Sequence, residues 1–449
     1  MPALAAAVIG GLRSFPLAML GGMLIGAIQA EFGYYFATPG LGDAVPFAAI
    51  ILLLVLRGAR LPLRSFVHER LPRVASGRFN WRVAVPAIVT AAVICEWGLS
   101  SVWLLAVTTT LCAAIVLGSL VIVTGYAGQI SLAQFTIAGA GALVAAHCIA
   151  AGLPTILGIL IGVAAAVPLG VVIGFPAGRT RGMSLAIATL GLAVTLHSLV
   201  LTNASLVGGY DGLTLGSPTL FGFDIDPTIY PQRFAIVCLL AFVLVAVVLA
   251  NIRRSRVGRR MLAMRNNERA AAALGINVTA TKLVAFAYAA PIAALGGILI
   301  VLQTTVATFS NFDVFSSVQD VAWAVIGGVG FLGGPLIGAT LQPGAIGTQV
   351  VDTFVSGADN YVALVGGLLL LYTLPCSPDG LIPMNAETGK RIWKAVTRRR
   401  KPPVRRELPL AAEAPVSQKR SAVLGGDQHP GPAGRRARRR RRLVHRPLG

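Results

Sequence analysis

The chain has 449 residues, 55% of them hydrophobic and only 12% charged, with a mean hydropathy of +0.75. Soluble domains carry about twice that share of charge, so a water-soluble globular body is excluded; repeated apolar runs of about 20 residues predict an all-α, polytopic transmembrane helix bundle. The formal net charge of +21 does not point to nucleic acid, because residues 387–449 hold 19 Lys and Arg against 4 acids while the 386 residues before them net only +6.

Residues 1–62 read as a partial domain of about three membrane segments. Residues 1–30 lack a basic start and Arg13 interrupts their apolar run, so no cleaved signal peptide is predicted. Val8, Ile9, Gly10 and Gly11, with Gly21, recur at the same spacing as Val325, Ile326, Gly327 and Gly328, with Gly338. Each copy is followed by an apolar helix, 44–56 and 361–374, and then by a short exit rich in Gly, Pro and Leu. Residues 63–82 form a basic linker, predicted on the cytoplasmic side by its excess of arginine.

The main domain, 83–386, opens with seven apolar spans near 83–98, 102–123, 130–150, 155–177, 183–201, 234–250 and 283–304. Starting inside, they put Arg179 and Arg181 inside, the charge-poor loop 203–231 outside and the basic stretch 255–282 inside, as the positive-inside rule requires. The seventh span ends outside near 309–320, and 361–374 makes the last crossing. Residues 321–354 must therefore cross twice or form a re-entrant pair, with the break at Gly333, Gly334 and Pro335. The domain then has about ten crossings.

Two stretches carry unusual chemistry. In 125–135, Gln129, Ser131 and Gln134 follow Gly128 where an apolar helix begins. Polar, glycine-broken backbone inside a membrane is tolerated only against protein or beside a water-filled path. The stretch is either a hydrogen-bonded helix contact or, with Thr189 from a later span, part of a translocation path. The second stretch is 255–282. Counting from Arg253, seven arginines and Lys282 face one acid, Glu268. Burying the arginines at about 3 kcal/mol each would cost about 20 kcal/mol, so the stretch must lie in water. Asn267 is a natural N-cap, Glu268 favours the positive first turn, residues 269–274 form helix readily and Gly275 supplies the stop. Four alanines at 270–273 leave that helix smooth. On its residues alone it is either a solvated loop or a small helix presented to a partner's groove.

The order Gly258, Arg259, Arg260, then Arg265, then Glu268, Ala270, Ala271, Leu274 and Gly275 resembles the coupling loop of ABC-importer permeases, and is most similar to the branched-chain amino-acid permease family. The stretch 125–135 is similar to that family's Gly-x-x-Gly-Gln-x-Ser-Leu-Gly signature, departing at Ala133, where glycine is usual, and at Gln134, where His or Asn is common. Arg181 and Gly182 leading to Thr189 and Leu190, and then Gly208, Gly209, Asp211 and Gly212, also match its pattern. Residues 1–62 resemble the C-terminal end of the sister permease. The resemblance implies a cell-membrane permease subunit that imports branched-chain or other hydrophobic amino acids. It implies that cytoplasmic ATP-binding subunits dock on the coupling loop and that solute passes Gly128, Gln129, Ser131, Gln134 and Thr189. It implies an extracytoplasmic substrate-binding protein at Gly208–Gly212 and a second permease subunit beside this one. Urea, amides and sugars remain open as substrates of the same fold.

Residues 387–449 are predicted to be a disordered cytoplasmic tail. Five scattered cysteines have no metal-ligand spacing and read as small buried hydrophobes. His147 and His197 are predicted neutral and bonded to backbone carbonyls. No phosphate-binding Gly-x-x-x-x-Gly-Lys-Ser/Thr loop, paired carboxylate or nucleophile–base spacing is present, so no enzyme activity and no cofactor is expected in this chain; ATP would be bound by a partner. A self-contained carrier would want inverted repeats and intramembrane carboxylates, and neither is evident in the sequence.

Overall fold

Helices that are apolar all the way round can pack against a neighbour or lipid on any side, and such helices build nearly all of this fold. The computed structural model describes residues 6, 14–35, 72–77, 81–178, 182–201, 203–208, 212–216, 218–220, 222–308, 312–354, 361–376 and 379–381. The helices are α1 (Phe15–Tyr35), α2 (Trp81–Trp97), α3 (Ser101–Leu120), α4 (Gln134–Ala150), α5 (Thr155–Gly174), α6 (Met183–Leu196), α7 (Ala204–Val207) and α8 (Pro231–Arg254). They continue with α9 (Arg256–Asn266), α10 (Glu268–Ala273), α11 (Val278–Thr304), α12 (Val314–Gly327), α13 (Gly334–Ala339), α14 (Ile346–Phe354) and α15 (Val362–Cys376). Among the described residues, α1, α3 with its π-helical extension Val121–Tyr126, α5, α8 and α11 are long and apolar enough to cross a bilayer, and α2, α4, α6, α12 and α15 are shorter apolar helices. The protein is an all-α polytopic membrane helix bundle.

The core is organised around α11, which packs on α3, α4 and α5. Lipid tails are as apolar as leucine, so helices in a bilayer associate through close van der Waals contact between small residues. Here a side chain on Gly297 would run into the Ala138 carbonyl of α4, and Gly296 lies against the Cys112 carbonyl of α3. The outcome is graded burial: α3 is buried along most of its length, whereas α1 is largely exposed. Cys112 of α3 and Cys238 of α8 meet at 3.7 Å between sulfurs, and Cys95 is buried too.

The seven spans expected from the sequence correspond to α2, α3, α4, α5, α6, α8 and α11. The third starts at Gln134 instead of 130, because 127–133 leaves helical geometry. The region 321–354 differs more. Its first helix, α12, already begins at Val314, and the chain breaks over 328–333, from Gly328 with φ of 107° to Gly333, somewhat before the expected 333–335. Gly334 and Pro335 instead open α13, where a missing N–H costs nothing. The 14 residues of α12 and the 6 of α13 reach only about 21 and 9 Å, short of about 30 Å of hydrocarbon, so neither helix by itself is long enough to span it.

Asp320 is buried within α12, where its Oδ1 accepts a hydrogen bond from Gln342 in the turn between α13 and α14. The loop 203–231 carries short strands: β1 (Leu213–Thr214) pairs antiparallel with β4 (Val306–Ala307) at the end of α11, and β2 (Thr219–Leu220) with β3 (Phe223–Asp224). The repeat at 8–11, the helix 44–56 and the tail 387–449 lie outside the described residues.

Two outcomes follow from this packing. Gly297→Val should lower stability by about 2 kcal/mol or more through overpacking on α4, read as a fall in melting temperature in detergent. Asp320→Asn keeps an acceptor for Gln342 and should melt near the wild type, whereas Asp320→Leu leaves Gln342 unpaired and should lose about 1–3 kcal/mol.

Candidate functional site

One end of the bundle gathers the basic stretch. Ser255 ends α8 and caps α9, its hydroxyl accepting from the Gly258 amide at 3.2 Å. The corner is tight enough that a side chain on Gly258 would collide with the Ile252 carbonyl. Met261 and Met264 turn into the core, while Arg259 and Arg260 face out. Asn267 caps α10, its Oδ1 accepting from the amides of Arg269 and Ala270 at 3.0 and 3.1 Å. Gly275, with φ of 80°, ends it in the left-handed conformation that glycine adopts without strain. Ala271 is buried, Ala270 and Gly275 are exposed, and Leu274 is 80% exposed. A short capped helix with a bare surface and a leucine at its tip is thus presented to solvent.

Not all of the stretch lies in water, as the arginine count had implied. Lys282, in the first turns of α11, is 1% exposed, and its Nζ lies 3.0 Å from Glu268 Oε1. A buried ammonium is tolerated because a carboxylate meets it; Glu268 therefore ties α10 to α11 as well as favouring its own first turn. Arg265 is half-buried, and its stem lies over Gly128 so closely that a Cβ there would sit 2.7 Å from Arg265 Cγ. Burial draws the Arg265 pKa down and the Asp379 carboxylate opposes this.

That contact joins the basic stretch to the polar loop. After α3 the backbone widens into the π turn Val121–Tyr126, with the Ala127 amide donating to the Ile122 carbonyl at 2.9 Å; such turns recur at functional sites. Residues 127–133 then run irregularly to α4. Ser131 and Thr189 are fully buried, and Gln129 and Gln134 are 6% and 2% exposed. The Leu132 amide donates to Thr189 Oγ1 at 3.1 Å, and Gln134 Nε2 to Ser131 Oγ at 3.4 Å. The structure thus brings Gly128, Gln129, Ser131, Gln134 and Thr189 into one cluster. The Oε1 atoms of Gln129 and Gln134 are buried without a hydrogen-bond partner. An unpaired buried acceptor costs about 1–3 kcal/mol, so the cluster holds unused capacity to accept hydrogen bonds.

Beyond the cluster, along α4, the interior is apolar. Phe135 and Phe312 pack with ring centroids 5.4 Å apart, and Phe312 lies on Gly139. Gly139, Leu143, Leu201, Val207, Ala307, Thr308 and Phe312 line a small half-open pocket of about 10 Å³, room for about one water. Gly208 and Gly212 close the adjoining turn with φ of 79° and 72°, each lying against backbone that a side chain would strike. Gly209 and Asp211 lie outside the described residues. His147 Nδ1 lies 3.0 Å from the Leu143 carbonyl. The sequence reading missed Phe312, Asp320 and the burial of Lys282; the one signal available was an acid, Asp320, within an otherwise apolar helix.

The Glu268–Lys282 pair is open to a double-mutant cycle. Glu268→Ala should destabilise by about 3–5 kcal/mol by removing the carboxylate that meets the buried ammonium, and adding Lys282→Met should restore most of the loss. Chemical or thermal unfolding in detergent measures both.

Comparison with known proteins agrees with this architecture. The profile of the family described as "Branched-chain amino acid transport system / permease component" matches residues 98–374. The high-affinity branched-chain amino acid transport system permease protein LivM of Salmonella typhimurium is 29% identical over 236 residues, covering 48% of this chain and 54% of that protein. Its counterpart in Escherichia coli is 29% identical over 284 residues, covering 59% of this chain and 64% of that protein. The chain thus spans less than two thirds of the length of either relative. No solved structure matches it. With the profile covering more than half of its residues, from α3 to α15, the chain belongs to the branched-chain amino acid transport system permease family, whose members are membrane permease components of transporters and not enzymes.

Proposed function

We propose that the chain is the membrane-spanning permease subunit of an ABC importer for branched-chain or other hydrophobic amino acids, driven by a separate ATPase subunit. The observation that carries this is α10, a helix capped at both ends and alanine-smooth, whose Leu274 stands 80% exposed. Glu268 and Ala271 account for the inward side of this helix; its outward side and exposed Leu274 make no contact that folding requires, and a groove on a cytoplasmic ATPase would receive them. On this reading Gly258, Arg259, Arg260, Arg265, Glu268, Ala270, Ala271, Leu274 and Gly275 form the coupling loop on the cytoplasmic side.

The polar cluster suits the head of an amino acid. The unpaired Oε1 atoms of Gln129 and Gln134 are acceptors for an ammonium group, and they stand at the start of α4, where the positive end of the helix dipole favours a carboxylate. The apolar constriction at Phe135 and Phe312 suits an aliphatic side chain and closes the route in this conformation. An extracytoplasmic binding protein would deliver solute at the Gly208–Gly212 turn, and a second permease subunit would complete the membrane unit.

Leu274→Arg changes only an exposed side chain, so folding should be unaffected. Retention of the ATPase subunit in a pull-down from membranes should fall by at least about tenfold, as for an interface hot spot. If no ATPase subunit accompanies the wild-type chain, the importer reading is wrong.

A further inference from the structure

Arg265 differs from most arginines of the basic end in where its side chain goes. Arg254, Arg256, Arg259, Arg260 and Arg269 are exposed. Arg265 instead runs over Gly128, and its Nη2 donates to the Pro72 carbonyl at 2.7 Å. Arg253 makes a parallel contact, its Nε donating to the Ala75 carbonyl at 3.1 Å. Two arginines of α8 and α9 thus hold residues 72–77, the segment that precedes α2.

The same segment is fastened on its other side. The Ala75 amide donates to the Gly330 carbonyl at 2.9 Å, in the break between α12 and α13. The Arg73 amide donates to Asp379 Oδ1 at 2.6 Å, just past α15, and Arg73 Nε lies 3.7 Å from Asp379 Oδ2. Gly330 is pressed against the Arg73 carbonyl so closely that no side chain would fit. Residues 72–77 have no helix or sheet partner of their own. They are a strap that links the α8–α9 corner, the α12–α13 break and the end of α15.

Gly128 completes the arrangement. Its φ of 68° turns the backbone under the Arg265 stem, so the stem rests directly on the loop that carries Gln129 and Ser131 and leads into Gln134. A rotation of α9 with the guanidinium held at Pro72 must therefore shift either the strap or that loop. The strap is bonded to three elements; the loop is held too, its Gln129 and Leu132 amides donating to the Val123 carbonyl and Thr189 Oγ1, but it carries buried acceptors with no partner that a second arrangement could use.

We propose that Arg265 is the positioning residue through which displacement of α9 and α10 reaches the polar loop 127–134, with residues 72–77 as the fixed strap it works against. The inference rests on the reading of α10 as the ATPase-docking helix. Arg265 needs no contact with solute or nucleotide for this role.

The test uses the complex purified with its ATPase subunits in nanodiscs and carrying Gln134→Cys as a probe. Labelling by N-ethylmaleimide at position 134 is read by peptide mass spectrometry, without nucleotide and after trapping with ATP and vanadate. With Arg265 intact, trapping should change the labelling rate at least about fivefold, the lower end of ordinary coupling between sites. Arg265→Met keeps the apolar stem over Gly128 and loses the donors. Among complexes that hold the ATPase subunit, it should label at the same rate in both states; Arg265→Lys should restore part of the change. If Arg265→Met destabilises the complex, the lysine variant alone decides, and its response must be smaller than the wild type's. A full wild-type response in a stable Arg265→Met complex overturns the inference and leaves the importer reading intact. No response even with Arg265 present also overturns it. Failure of any ATPase subunit to co-purify overturns the docking reading on which it rests.

Discussion

Direct contact between the backbone of α11 and its neighbours is the constraint on which the rest of the structure depends. Gly296 and Gly297 set α11 against α3 and α4, and Gly170 of α5 lies on Ala290 and Phe286 of the same helix. In a bilayer no hydrophobic gain rewards the assembly of already apolar helices, so close van der Waals contact must do so. The four helices therefore form a rigid unit. What departs from helical geometry is placed around it: the π turn at Val121–Tyr126, the irregular loop 127–133 and the breaks after α12 and α13.

The basic end shows how cations are sorted at the edge of such a unit. Exposed arginines such as Arg259 and Arg260 keep their hydration. Lys282 and Arg265 are drawn inward, and each finds a partner, Glu268 for the ammonium and the Pro72 carbonyl for the guanidinium. A buried charge without such a partner would cost several kcal/mol. The pairing has a mechanical consequence. The surface helix α10 is paired to α11, and α9 is bonded to the strap and rests on the polar loop; on the proposed reading these contacts make them move together.

Polar and apolar groups are separated along α4. At its start lie Gln129, Ser131 and Gln134 with acceptor capacity to spare; one turn and more beyond, Phe312 closes on Gly139. On the proposed reading, this is the order in which an amino acid's charged head and aliphatic tail would need to be met.

The sequence by itself determined what depends on near neighbours in the chain. Runs of apolar residues set the positions of α2 to α6, α8 and α11 within a few residues, and local hydrogen bonding set the Asn267 cap and the Gly275 stop. Only the tertiary structure decided which helix is central, which charged residues are buried and which distant segments touch. Helices that are apolar all round carry no stripe to show which face is inward, so the central place of α3 and α11 was not legible. Nor were the partners of Lys282, Arg265 and Asp320. Each is chosen by which backbones can approach closely, and for Arg265 and Pro72 that choice spans 193 residues of sequence. A composition-based estimate treats every arginine as equally solvated; the fold distinguishes those that face water from Arg253 and Arg265, which turn inward onto residues 72–77.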